Sequence, residues 1–253
     1  MSATDPSRIA VVIPALNEAL AIRGVVESVL AICPHVIVVD DGSSDRTIEC
    51  LDGLPITVIR HPRPLGKGQG LRDGFRLARE RGFDAVVTMD GDGQHLASDI
   101  PRLLAAARRH PGHLVIGARI LNKDNQPASR RRANAVADWG ISWGCGIPVA
   151  DTQSGQRYYP LEALELADLD ADDFVFEAAL LIAATRDKGL GVVSVPIESR
   201  YRSEFRGSHF RPVRDVTRIT WYTIRRVVHY GHVISSYRTS HATPPLIFDP
   251  ATP

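Results

Sequence analysis

The chain is poor in the residues that staple small secreted scaffolds and in the apolar runs that cross bilayers. Only 3 of its 253 residues are cysteine, and Cys33, Cys50 and Cys145 stand at no metal-ligand spacing. So sparse and odd a set excludes a disulfide framework and fits a reducing compartment. The opening residues, MSATDPSRIA, hold no apolar signal core. The longest weakly polar run, residues 133–150, is interrupted by Asp138, several glycines and Pro148, so it should pack within the protein rather than span a membrane. A net charge of +1 excludes a strong general attraction to nucleic acid, and no such partner is expected. Repeats and low-complexity segments are absent. The expectation from these features is a cytoplasmic protein that would reach any membrane substrate peripherally, from the cytoplasmic face.

What is present suits one wound α/β domain: 44% hydrophobic content over this length is enough for a sizeable core. Short β-branched runs recur at 9–13, 36–40, 56–59, 85–89, 114–117 and 192–197, and helix-like stretches separate most of them. Residues 18–31 place Ile22, Val25, Val26, Val29 and Leu30 on one face. Residues 67–81 group Leu71, Phe75 and Ala78, with Arg72, Arg76 and Arg79 outward. Ser98 can cap a helix running to Arg109. Strand alternating with helix predicts a mostly parallel sheet covered on both faces. Charge is unevenly spread. Residues 197–238 carry nine arginines and three acids, +6, against −5 for the remainder, which suggests an anionic partner near the C-terminus.

Parallel sheets bind ligands beyond the carboxyl ends of their strands, and the polar residues cluster there. Pro14-Ala15-Leu16-Asn17-Glu18 follows the first strand, Asp40-Asp41-Gly42-Ser43-Ser44-Asp45 the second, and Asp90-Gly91-Asp92-Gly93-Gln94-His95 the strand ending at Met89. Asp90 and Asp92, separated by glycine, can both point at one hard cation such as Mg²⁺ or Mn²⁺, which a departing diphosphate needs. An Asp-Gly-Asp is otherwise a turn, but this one follows a buried apolar strand and two other acidic strand ends precede it. Asp40 or Asp41 can accept hydrogen bonds from a nucleobase or ribose, while Ser44 or Asp45 can cap residues 46–51. Leu65-Gly66-Lys67-Gly68-Gln69-Gly70 opens a helix and suits phosphate, though without the spacing or the Ser/Thr of a P-loop ATPase; its plain alternative is a flexible loop. Residues 151–157 join hydroxyl, amide and guanidinium in a loop able to take an anionic acceptor or simply to turn. Arg119 and Arg130–Arg132 form a second basic set, of which Arg131 is the candidate for phosphate. His95 and His209 are lone histidines, more often neither ligand nor base.

Together VVIPALNE, VIVVDDGSSDRT, HPRPLGKGQGLRDGF, VVTMDGDGQH, VIGAR, DTQSGQRYYP and YRSEFRGSHFRPVRD, spread from Ile9 to Asp215, resemble the family 2 inverting glycosyltransferases of the GT-A fold. Within them the chain is similar to the dolichyl- and polyprenyl-phosphate sugar transferases. The resemblance implies a nucleoside-diphosphate sugar donor, GDP-mannose or a UDP-hexose, and a lipid-phosphate acceptor at a membrane surface. By position it assigns Pro14, Ala15, Glu18 and Asp41 to the nucleobase and ribose, and Lys67, Gly68 and Arg206 to the donor; Asn17, Asp40 and Gly91 join them as donor-site candidates. It assigns Asp90 and Asp92 to the metal, with Gln94 beside them. Asp92, Gln94, Arg119 and Arg131 fall to the chemistry, and Ser154, Arg157 and Ser208 to the acceptor. Two positions depart from the pattern: Leu16 stands where many relatives have Tyr, and Gln156 where the lipid-phosphate enzymes commonly have Phe. The chain is thus expected to comprise a catalytic domain over 1–212, a basic aromatic helix over 213–242 that either lies on a membrane or packs on the core, and a loose Pro-rich tail over 243–253. A hydroxyl acceptor, a sugar nucleotidyltransferase and a non-catalytic nucleotide-sugar module are the rival readings. The first would need a general base that the sequence does not clearly offer. The second would place a basic Gly-rich loop where PALNE stands, and the third would be expected to lose a metal carboxylate.

Overall fold

The computed structural model describes residues 5–122, 128–171, 173, 175–198 and 212–249. The β-branched runs form β1 (Ile9–Ala15), β2 (Val36–Asp40), β3 (Thr57–Arg60), β4 (Ala85–Thr88), β5 (His113–Ala118) and β7 (Gly191–Pro196). A strand not foreseen, β6 (Arg157–Pro160), completes one sheet of order β3-β2-β1-β4-β6-β5-β7. Strand β6 runs antiparallel to both neighbours and the other pairings are parallel, so the expected mixed α/β sheet is present. Its sequence, RYYP, mixes Arg and Pro with aromatics and shows no alternation, which hid it.

Apart from the edge strand β3, whose residues alternate between half-buried and exposed, the strands are buried on both faces. In β1, Ala10 and Val12 join one apolar cluster with Leu71, Phe75 and Phe176, while Ile9, Val11 and Ile13 join the other with Ile22, Val26 and Leu103. Helix α2 (Lys67–Glu80) therefore covers the first face; α1 (Ile22–Leu30) and α3 (Ile100–Arg109) cover the second. The remaining helices are α4 (Ala128–Cys145), α5 (Leu161–Leu164), α6 (Val175–Arg186), α7 (Pro212–Tyr230) and α8 (Val233–Ala242). Helix α6 is buried from Val175 to Ala184, so it carries no amphipathic period to betray it.

Several local expectations are corrected. Helix α1 starts at Ile22 rather than Glu18, since Ala21, at φ −120° and ψ −32°, lies outside the helical region, and the Glu18 and Ala19 amides are held by Thr47 Oγ1 and Asp45 Oδ2. Ser98 lies in a 3-10 turn, and α3 begins at Ile100 with Pro101 in its first turn and no side-chain cap. Asp45 does accept the Thr47 amide at 3.0 Å, but only a 3-10 turn, Glu49–Leu51, follows. Arg72 is not turned outward: it donates to the carbonyls of Ala167, Leu169 and Ala171. The C-terminal helix is two helices, broken at Gly231, whose φ of 71° lies in the left-handed region. Helix α7 packs through Ile219, Thr223 and Val227 and leaves Trp221 and Val228 each 63% exposed. The tail is not loose over its described part. The Ser194 amide donates to Leu246 O, the Phe248 amide to Ser194 O, and Phe248 is buried.

Helix α2 sits close against β1 because Gly74 has no side chain. A Cβ there would lie 2.4 Å from Val12 Cγ1, inside the repulsive wall. Gly74→Ala should therefore lower stability by about 1–3 kcal/mol, read as a reduced urea midpoint at unchanged slope. An unchanged midpoint would mean that the two elements part without penalty.

Candidate active site

Three strand ends and one loop converge. After β1, Asn17 takes a left-handed φ of 58° and bridges to the loop after β2: its amide donates to Ser43 Oγ at 2.8 Å and its Oδ1 accepts from the Ser44 amide at 2.8 Å. Pro14 and Ala15 close β1, with the Asp41 amide on Ala15 O. Asp41 accepts the amides of Leu65 and Gly66, at 2.7 and 2.8 Å, and faces His61 Nδ1 at 2.8 Å; the other ring nitrogen of His61 faces Asp73 at 3.1 Å. Its carboxylate thus fixes the entry to α2. Asp40 is wholly buried and accepts the Ser43 amide, so it shapes its own loop rather than facing a ligand, against expectation.

Lys67, the first residue of α2, sets its ammonium 2.8 Å from Asp90 Oδ1 and 3.0 Å from Glu177 Oε2. Gly68 is needed where it stands, since a Cβ would lie 2.6 Å from Asp173 O. Beyond β4, Asp92 Oδ1 accepts the Gln94 amide at 3.0 Å, and a Cβ on Gly91 would lie 3.1 Å from Ile22 Cδ1. His95 is buried, with Nε2 3.9 Å from Asp90 Oδ2 and Nδ1 unpartnered among the described residues. The loop of residues 151–156 lies directly on Asp90: a Cβ on Gly155 would fall 2.3 Å from Asp90 Oδ2. Asp138 of α4 fixes this loop by accepting the amides of Asp151 and Thr152. Arg119 grips Asp151 through Nε and Nη2 at 2.8 and 2.7 Å.

The acceptor assignments of Ser154 and Arg157 are corrected. Ser154 is fully buried, and Arg157 is 1% exposed with its guanidinium donating to the carbonyls of Ser154, Thr152 and Glu177. Arg157 braces the loop from beneath. Arg131 lies half-buried on α4. Arg206, Ser208 and His209 fall outside the described residues. Sequence reasoning missed Glu177 and Asp138; the available signal for Glu177 was a lone acid in the apolar run VFEAALLIAA.

The electrostatics follow from this crowding. Burial raises Asp92, the Asp90 charge raises it further, and it reaches about 6. Burial also raises Asp90, but Lys67 outweighs it and brings Asp90 to about 2. Burial lowers His95 to about 4, leaving it neutral near pH 7. Two carboxylates two residues apart, one resisting ionisation through burial and the charge of the other, form a hard-oxygen donor set that a divalent cation would relieve. Among the described residues no group of three or more His, Cys, Asp or Glu could hold a metal without other donors.

Residues 10–161 match the model of the family described as Glycosyl transferase family 2. The chain is 32% identical over 222 residues to the polyprenol monophosphomannose synthase of Mycolicibacterium smegmatis, covering 81% of this chain and 83% of that one. It is 30% identical to the UDP-N-acetylglucosamine–dolichyl-phosphate N-acetylglucosaminyltransferase of Methanococcus voltae, covering 75% and 84%. Among solved structures, glucosyl-3-phosphoglycerate synthase from Mycobacterium tuberculosis, in complex with Mn²⁺, UDP-glucose and phosphoglyceric acid, superposes with a TM-score of 0.69 at 24% identity, covering 89% of this chain and 82% of that one.

Asp92 supplies a pH signature. Its folded pKa lies above the ordinary 3.8, so its contribution to stability is complete at low pH and is lost as pH rises through about 6. In EDTA, the Tm of Asp92→Asn minus that of the wild type should grow from about pH 4 to about pH 6 and level off above. A flat difference would contradict the burial of Asp92 beside a second acid.

Proposed function

Since the chain belongs to glycosyl transferase family 2, we propose that it moves a hexose, with inversion, from a nucleoside-diphosphate sugar to a polyprenyl phosphate. The observation that carries the reading is the placement of Asp90 beyond β4, 2.8 Å from a lysine at a helix N-terminus and directly under the Gly155 backbone, with Asp92 two residues on. The named relatives that act on polyprenyl and dolichyl phosphates support the acceptor class. Their donor sugars differ, so GDP-mannose and UDP-hexoses both stand as candidates.

In this reading Asp90 and Asp92, with Gln94 beside them, hold Mg²⁺ or Mn²⁺. Bound there, the cation would supply Lewis-acid neutralisation of the leaving diphosphate. Pro14, Ala15, Asn17, Glu18 and Asp41 cradle the nucleoside. Lys67 and the Gly68 amide address the diphosphate from the N-terminus of α2, Gly91 keeps the metal loop close to β1, and Arg206 belongs to the donor side. Arg119, oriented by Asp151, and Arg131 address phosphate, with Ser208 on the acceptor side. A phosphate acceptor is already ionised near pH 7, so it needs orientation more than a strong base. Ser154 and Arg157 serve by supporting the loop above Asp90.

We also propose that the enzyme meets its acceptor by resting on the cytoplasmic membrane face. No helix among the described residues is long and apolar enough to cross a membrane. The outer face of α7 instead presents Trp221, Ile224 and Val228 beside Arg225, the mixture of an interfacial helix.

Radiolabelled GDP-mannose, UDP-glucose and UDP-GlcNAc offered with a short polyprenyl phosphate test the function. One donor should yield label extractable into organic solvent, and label confined to water-soluble product would overturn the lipid acceptor. Asp92→Asn should lower turnover by about 10²-fold or more while the far-UV spectrum is retained; near-normal turnover would contradict the metal role. The double variant Trp221→Asp, Val228→Asp should lose co-sedimentation with anionic vesicles yet keep turnover on a detergent-dispersed short acceptor. Undiminished sedimentation would remove α7 from the membrane contact.

A further inference from the structure

Lys67 occupies an unusual place for a donor-binding lysine, because its ammonium already sits on a carboxylate assigned to the metal. Nζ is 2.8 Å from Asp90 Oδ1, and an ammonium and a divalent cation cannot both hold that oxygen at full strength. Asp90 has little freedom to offer another oxygen. Its Oδ2 is closed in by the Gly155 backbone, where even a methyl group would fall 2.3 Å away, and by the buried His95 ring. Lys67, by contrast, has an alternative. Glu177 Oε2 lies 3.0 Å from the same ammonium, and Glu177 is held in turn by Arg157, whose Nη1 donates to its backbone carbonyl and whose Nη2 lies 4.0 Å from Oε1. Glu177 is thus a fixed anion on a buried helix, within reach of a cation on a flexible four-carbon stem.

We propose that Lys67 is a resident counter-cation for Asp90, and that Glu177 is a positioning residue onto which the ammonium shifts when a divalent cation claims Asp90. This rests on the reading of Asp90 and Asp92 as the metal pair. In the ligand-free protein Lys67 keeps Asp90 neutralised and weakens binding of metal alone. When metal arrives with a diphosphate, the displaced ammonium keeps one bond to Glu177 and directs its remaining protons at the new anion. Metal and donor then bind cooperatively through the relocation of one side chain. Removing the lysine and removing its second seat should act on metal affinity in opposite directions. A purely structural ion pair would not do this, since breaking it from either side loosens the same contact.

The test is Mn²⁺ binding to the full chain without nucleotide, followed by loss of the free-ion EPR signal, with thermal unfolding in EDTA as the check of folding. Lys67→Met should bind Mn²⁺ severalfold more tightly than wild type. Glu177→Gln, which keeps the shape but removes the charge that draws Lys67 off Asp90, should bind it about tenfold more weakly. Lys67→Met with unchanged or weaker affinity would overturn the proposal, and so would Glu177→Gln with unchanged or tighter affinity. Should Lys67→Met not fold, Glu177→Gln decides alone. Asp90→Asn separates the two levels. Wild-type binding abolished by Asp90→Asn, together with a Lys67→Met affinity equal to wild type, overturns the relay and leaves the metal pair standing. Binding indifferent to Asp90→Asn, in the wild type and in Lys67→Met alike, overturns both.

Discussion

The ligand end of this sheet depends on how a row of alternating charges, buried at Arg157 and Glu177 and half-buried at Lys67 and Asp90, is kept neutral. Arg157, Glu177, Lys67 and Asp90 follow one another across β6, α6, α2 and the end of β4, each beside a partner of opposite sign. An isolated charge withdrawn from water is several kcal/mol unfavourable, and pairing offsets it only where geometry and further hydrogen bonds are good. Here the arginine at one end reaches three carbonyls, and the aspartate at the other is hemmed in by backbone. Four elements distant in sequence are therefore tied at the one place where the chemistry needs them fixed.

The antiparallel strand makes this possible. In a parallel sheet the residues gathered at the ligand end come from strand ends. Because β6 runs the other way, its first residue, Arg157, pairs with Thr88 at the end of β4. The loop leading into β6, rather than the one leaving it, is thereby laid over Asp90, and the Thr88 hydroxyl fastens it through the Gly155 carbonyl at 2.8 Å. The same inversion explains why Arg157 supports the site from below. At the start of a central strand its stem has nowhere to go but the core, where Tyr159 and Glu177 receive it.

What could be read from sequence was whatever has a local cause. Asp90, Asp92 and Lys67 announce themselves because acids and glycines directly follow an apolar strand, or precede an amphipathic helix, and those contexts fix their surroundings. The fold class and all strands but one were legible for the same reason. Glu177 and Asp138 were not, since their work is done on partners that only the tertiary fold supplies. Helix α6 is buried all round and offers no period, and β6 is four residues of mixed chemistry. Arg157 was recognised by its chemistry and misjudged in its exposure. A guanidinium beside Ser and Gly in a loop motif looks ligand-facing until the strand direction is known. Asp41 is an intermediate case: its importance was visible, but its hold on Leu65 and Gly66 depends on a loop more than 20 residues away.

The short segment around Ile247 has a consequence unrelated to catalysis. Strand β7 is the outermost of its side, and an open strand offers its amides and carbonyls to any passing chain. Leu246 and Phe248 pair with Ser194 and act as a selvedge, finishing that margin of the fabric. The hem is sewn by residues arriving from beyond the two C-terminal helices, so the chain that leaves α8 is tied back to the sheet. Whatever is fused to, or trimmed from, that end bears first on colloidal behaviour and only afterwards on sugar chemistry.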